Sequence, residues 1–158
     1  MNAGAGTVLS KIAIDNRTAE AVIAAATQHA EAIGVPQNIA IVDEAGHLVA
    51  FRRMDGAKFF SVEIAIAKAF TAAGARKATR EIGPATQPGA GGFGAQNLHG
   101  GRFTTLPGGI PLVADGHVVG AIGVSSGSVD QDHAVAEAGA AWFERNSIHP
   151  STHLQKSR

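Results

Sequence analysis

The stretch that decides the fold is residues 109–124, GIPLVADGHVVGAIGV. Gly109 to Ala114 and His117 to Val124 are two strand-forming runs. The Asp115-Gly116 pair between them is a strong two-residue hairpin signal, because both turn positions of such a loop need positive φ. A similar arrangement stands earlier in the chain. Gln37 to Val42 ends in Ile39, Ala40, Ile41 and Val42, apolar on both faces as in an inner strand. Asp43 to Gly46 supplies turn residues, and His47 to Met54 follows, with Leu48 and Ala50 on one face and Val49 and Phe51 on the other. Two sequential hairpins imply an antiparallel sheet. Both place a Gly-His pair at the start of a strand, Gly46-His47 and Gly116-His117. An internal repeat and shared hairpin chemistry each account for that echo.

Helices flank these hairpins. Ala19, Val22, Ile23, Ala26, Ala30 and Ile33 recur at helical spacing between Arg17 and Ile33. Asn16 is the expected N-cap and Gly34-Val35-Pro36 the expected stop. Ser61 caps a second helix that runs through Ile64, Ile66, Ala67, Phe70 and Ala73 and ends at Gly74. Arg76 to Ile82 adds a short helical piece. Ser128 and Gln131 form a capping box that opens the last helix, which carries Val135, Ala138, Gly139 and Trp142. Between the second and last helices, Pro84 to Gly108 is irregular and contains seven glycines. Loops this long inside a compact domain are usually functional, mobile or held by a neighbouring subunit. The fold class is α/β in the α+β sense, with helices covering an antiparallel sheet.

Bulk properties narrow the function. At 158 residues, 45% hydrophobic and 16% charged, the chain suits one domain with a substantial core and is too apolar for a disordered polymer. A single domain spanning 1–158 is expected, its core at about 15–145 and a polar, frayed tail at 146–158. Thirteen basic residues balance thirteen acidic ones. Without a basic block there is no electrostatic basis for binding nucleic acid or an anionic membrane. The absence of cysteine excludes disulfides, thiolate nucleophiles and cysteine metal sites. Met1 to Ser10 lacks the basic start and apolar run of a signal peptide. No apolar stretch approaches the roughly 20 residues that span a bilayer. A cytoplasmic protein is the expectation. Twenty glycines against seven Phe, one Trp and no Tyr point to close packing of helix on sheet, or of one subunit on another.

Four stretches, in order, carry a family resemblance: Ala40 to Ala57 (AIVDEAGHLVAFRRMDGA), Ile66 to Ala72 (IAKAFTA), Gly108 to Leu112 with Asp115 to Val124, and Ser125 to Ala138. They resemble the conserved segments of the GlcG/HbpS family over roughly residues 15 to 145. The resemblance implies a profilin-like antiparallel sheet flanked by helices, assembled as a homo-oligomer, dimer or octamer. It also implies a small-molecule ligand, haem in some members, and a kinship with domains fused to corrinoid adenosyltransferases. Haem-binding members use a histidine near the start of the first helix, but here that segment, Arg17 to Ile23, has none. His29 lies about two turns later.

Several side chains are candidates for a site. Lys68 and Thr71 share a helix face at i, i+3 spacing, where an ammonium and a hydroxyl would meet a carboxylate or carbonyl oxygen. A lysine snorkelling from a packed helix is the alternative. Arg53 would anchor an anion or pair with Asp55. Residues 89–94, GAGGFG, match the dinucleotide fingerprint in letters only, since neither a strand before nor a helix after it is expected. The same loop would instead bring Phe93, Gln96, Asn97 and His99 over a ligand, with glycines permitting the positive φ values and hinge motion this requires. His99 is the first choice among seven histidines for an axial ligand or general acid/base. No resident metal site is expected: His149 and His153 stand four apart but flank Pro150, and no third ligand falls at a metal-binding offset. The 125–128 turn lacks the catalytic-serine elbow, although its N–H groups would suit an anion.

Two functions compete on this basis. One is a ligand-binding accessory protein that holds haem or another planar, carboxylate-bearing metabolite. The other is a cofactor-independent enzyme acting on a catabolic intermediate by proton transfer, isomerisation or hydrolysis, with Lys68 or His99 as acid/base and Arg53 as carboxylate anchor. A purely structural module is the third.

Overall fold

The computed structural model describes residues 6–147. Helix α1 (Asn16–Ala32) precedes strands β1 (Asn38–Asp43) and β2 (Leu48–Arg53). Helices α2 (Ser61–Ala75) and α3 (Thr79–Ile82) follow. Three short 3-10 turns cover 83–86, 95–97 and 99–101, and β3 (Gly109–Ala114), β4 (His117–Ser125) and α4 (Val129–Asn146) complete the order. The four strands form one antiparallel sheet ordered β2-β1-β4-β3. The two hairpins therefore meet through their inner strands, β1 and β4. All six residues of β1 pair with β4, Asn38 with Ser125 through Asp43 with Gly120.

The two faces of the sheet are packed differently. On one face α1 and α4 bury Val22, Ile23, Val135 and Phe143 against Ile39, Ile41, Leu112, Ile122 and Val124. On the other, α2 lies almost entirely on small side chains: Ala65, Ala69, Ala72 and Ala73 meet Ala40, Val42 and Ala121. Gly123 explains how close α2 comes, since a Cβ there would sit 2.0 Å from the Ala65 carbonyl oxygen. This is the Ala/Gly helix-on-sheet packing that the composition implied. It leaves little room for a ligand between α2 and the sheet.

Local chemistry places most element ends where expected, with three corrections. The α1 N-cap is Asp15, not Asn16: the Asp15 carboxylate accepts from the Thr18 amide at 2.8 Å. Ser61 starts α2 without capping it, and that helix ends on Arg76 in the left-handed region (φ 55°), not at Gly74. The Ser128–Gln131 capping box forms as read. His149, His153 and the tail beyond Ser147 lie outside the described residues.

Candidate functional site

Lys68 does not face a ligand cleft. It is 1% exposed, and its Nζ donates to the Val124 carbonyl at 2.8 Å and to Asp132 Oδ2 at 2.8 Å. The other oxygen of Asp132 accepts from the Gly127 amide at 2.8 Å. Burial pushes the Lys68 ammonium below its ordinary pKa, and the Asp132 carboxylate pulls it partly back. Gly108 roofs the pair: a Cβ there would lie 3.0 Å from Nζ and 2.6 Å from the Val124 oxygen. The expected free ammonium is thus a clasp joining α2, the end of β4 and α4. A lysine held this way is not presented to a substrate as a base.

Thr71 is likewise committed to the chain. Its hydroxyl donates to the Arg102 carbonyl at 3.2 Å and accepts from the Thr104 amide at 3.0 Å, pinning the glycine-rich loop to α2. Immediately before it on α2 stands Phe70. Phe70, Thr71, Glu44, Gly46, His99 and Phe103 line a cleft of about 400 Å³ between the β1–β2 turn and the loop. The Phe70 ring rests on Gly46, where a Cβ would come within 2.7 Å of it and where φ is +84°. Only glycine suits that position.

Two loop residues complete a cluster on Phe70. The His99 imidazole meets it edge-on, ring centroids 5.3 Å apart at 70°. The Arg102 guanidinium lies over the ring, 4.1 Å from its centroid. His99 has φ 54° and is followed by Gly100 and Gly101, also at positive φ. Three consecutive left-handed residues turn the chain sharply there, and histidine is among the few non-glycine types that tolerate it. His99 is exposed, and its ring nitrogens have no hydrogen-bond partner among the described residues.

The remaining candidates do not converge on this cleft. Arg53 ends β2, is exposed, and forms no ion pair with Asp55. At about 3.3 Å per residue it stands roughly 20 Å along the strand from the turn at Gly46. Its neighbour Arg52 donates to Thr27 Oγ1 at 3.1 Å on the α1 side. Phe93, Gln96 and Asn97 are exposed on the loop and do not line the cleft. His29 is half-buried in a groove between α1 and α4 beside Trp142 and Arg145. The amides at the α4 N-terminus are engaged by the chain's own side chains, Gly127 with Asp132 and Ser128 with Gln131, which displaces the expected anion. Among the described residues no three His, Asp or Glu side chains cluster as a metal site. No helix there is long and apolar enough to cross a membrane. A larger cleft of about 740 Å³ lies between β3 and α4, but its imidazole, His133, is turned to Glu137 at 3.3 Å. Arg102 and Phe70 are the members of this cluster that sequence reasoning did not single out.

Comparison with known proteins places the chain. The family model described as "Haem degrading protein HbpS-like" matches residues 14–141. The chain belongs to the HbpS-like family. This HbpS-like chain is 39% identical over 132 residues to an uncharacterized 15.0 kDa protein of Citrobacter freundii from the dhaT-dhaS intergenic region, covering 84% of this chain and 90% of the relative. It is 40% identical over 117 residues, 74% of this chain, to the corrinoid adenosyltransferase PduO of Citrobacter freundii, of which it spans only 35%. The structure superposes with TM-score 0.79 and 35% identity on a crystal structure described as a PduOC:heme complex, covering 82% of this chain and 94% of that one. The α+β fold expected from the resemblance is therefore the fold of the HbpS-like relatives.

Proposed function

We propose that this protein is a small-ligand-binding accessory protein that holds haem, or another planar carboxylate-bearing molecule, in the cleft between the β1–β2 turn and the glycine-rich loop. The observation that carries this reading is the Phe70–His99–Arg102 cluster. It combines an aromatic ring and an imidazole without a hydrogen-bond partner among the described residues at one opening, with a cation stacked on that same ring. Apolar walls with a few polar groups are what ligand sites of this size use. A relative solved in complex with haem supports the choice of ligand class.

The residues present fit such a group. Phe70 and Phe103 supply flat apolar contact, and His99 is an imidazole donor on a backbone that three left-handed residues hold in place. Bound haem would supply an iron centre, which the His99 imidazole would ligate in place of the absent early-helix histidine. Thr71 acts indirectly, by fixing the loop that carries Arg102 and Phe103. A homo-oligomer, dimer or octamer, belongs to the same reading. Phe59, Phe60, Phe93 and Leu98 are exposed apolar side chains that a subunit contact would cover.

Haemin titration followed at the Soret band tests the proposal. The wild-type protein should saturate with a shifted, histidine-ligated band, and His99→Ala should lose that band. An unchanged spectrum in His99→Ala would remove the axial assignment, and no shift with wild type would remove haem itself.

A further inference from the structure

We propose that Arg102 selects for a carboxylate on the ligand, exchanging its place on Phe70 for a pair with that carboxylate; this rests on the ligand-binding reading above. Arg102 is exposed, and its guanidinium is parked over the ring of Phe70, a residue that lines the cleft, between two lining residues of the loop, His99 and Phe103. Its Nε makes one long hydrogen bond, to the His99 carbonyl at 3.3 Å. Its terminal nitrogens have no hydrogen-bond or ion-pair partner among the described residues. The backbone, in contrast, is fixed: the Arg102 carbonyl accepts from Thr71, and its amide donates to His99. A fixed Cα with an uncommitted planar fork is suited to changing partners.

A flat ligand stacking on the Phe70 face that the guanidinium now covers displaces it. An exposed cation–π contact is weaker than a charge-assisted, two-point pair with a carboxylate, so a ligand that carries the acid compensates for the contact it displaces. A neutral ligand of the same shape does not. The other cations weighed as anchors are placed or committed elsewhere: Lys68 to Asp132, Arg52 to Thr27, and Arg53 to the far end of β2, while Arg76 at the end of α2 lies on the Glu44 side, away from Phe103. Glu44 lines the cleft on the β1–β2 turn and repels a carboxylate there, which favours orienting the acid end toward Arg102. The ligand class this selects is a flat apolar ring system bearing at least one free carboxylate.

Protoporphyrin IX and its dimethyl ester separate the charge from the ring. Both would be titrated by fluorescence, in one buffered co-solvent mixture, into wild type, Arg102→Ala, Arg102→Lys and Arg53→Ala. Wild type should bind the free acid about tenfold more tightly than the ester, the size of one charge-assisted hydrogen bond. Arg102→Ala should erase that preference by weakening the acid alone, with ester affinity unchanged or improved because Phe70 is uncovered. Arg102→Lys should keep part of the preference, and Arg53→Ala all of it. Equal affinity for acid and ester in wild type, or a preference that survives Arg102→Ala, overturns the role of Arg102 and leaves the ligand cleft standing. Binding of neither porphyrin overturns the ligand reading and this proposal together.

Discussion

Replacing Lys68 with Met keeps the length of the stem and removes the ammonium. Asp132, its side chain 4% exposed, is then left with a buried charge and the Gly127 amide as its remaining partner, while the Val124 carbonyl loses a donor. Breaking one side of a buried ion pair costs about 3–5 kcal/mol. Against a typical total stability of about 5–15 kcal/mol this is a large share. With a urea m-value near 2 kcal/mol/M the unfolding midpoint should fall by about 2 M. The double change Lys68→Met with Asp132→Leu removes both charges and should return to within about 2 kcal/mol of wild type, since neutral pairs of similar volume are often tolerated. Urea unfolding followed by circular dichroism reads all three proteins. A single variant within about 1 kcal/mol of wild type, or a double variant no better than the single, would refute the clasp. If Lys68 instead held the ligand, porphyrin affinity would drop while the midpoint stayed in place.

Two further outcomes follow from the packing and capping. Gly123→Ala drives a methyl to 2.0 Å from the Ala65 oxygen and 2.5 Å from the Ala69 amide nitrogen, and should cost at least about 3 kcal/mol, visible as a lowered thermal midpoint. The Asp15 carboxyl is held below its ordinary pKa by hydrogen bonds from Thr18. Its capping stabilisation is therefore complete above the ordinary carboxylate range and is lost as pH falls through the lowered value. Urea midpoints at pH 7 and pH 3 should show a smaller acid-induced drop in Asp15→Asn than in wild type.

What was legible in the sequence was mostly local. The Asp115-Gly116 turn and the Ser128–Gln131 box are decided by residues within a few positions of one another, and both form. The first cap slipped by one residue because Asp15 and Asn16 are adjacent and both suit the position. Lys68 was visible as an anomaly, a lysine on an apolar helix, but its partner lies 64 residues away and only the β4–α4 connection brings it near. That Arg53 stands away from the cleft was not legible, because strand alternation shows which face a side chain takes, not which end of the strand lies near a given helix face. Arg102 gave no signal. It sits in a stretch without periodicity, and its relation to Phe70 depends on Thr71 tying that loop to α2. His99 was picked from the same loop for its chemistry, and the structure sets its ring against Phe70.

The central claim is the location of the ligand, and a crystal structure of the protein grown with haemin tests it directly. The account predicts the porphyrin beside Phe70, its iron bonded to the His99 imidazole and a propionate turned toward Arg102. Iron bound at His29, in the groove between α1 and α4, or anywhere away from the Glu44–Gly46 turn would contradict it.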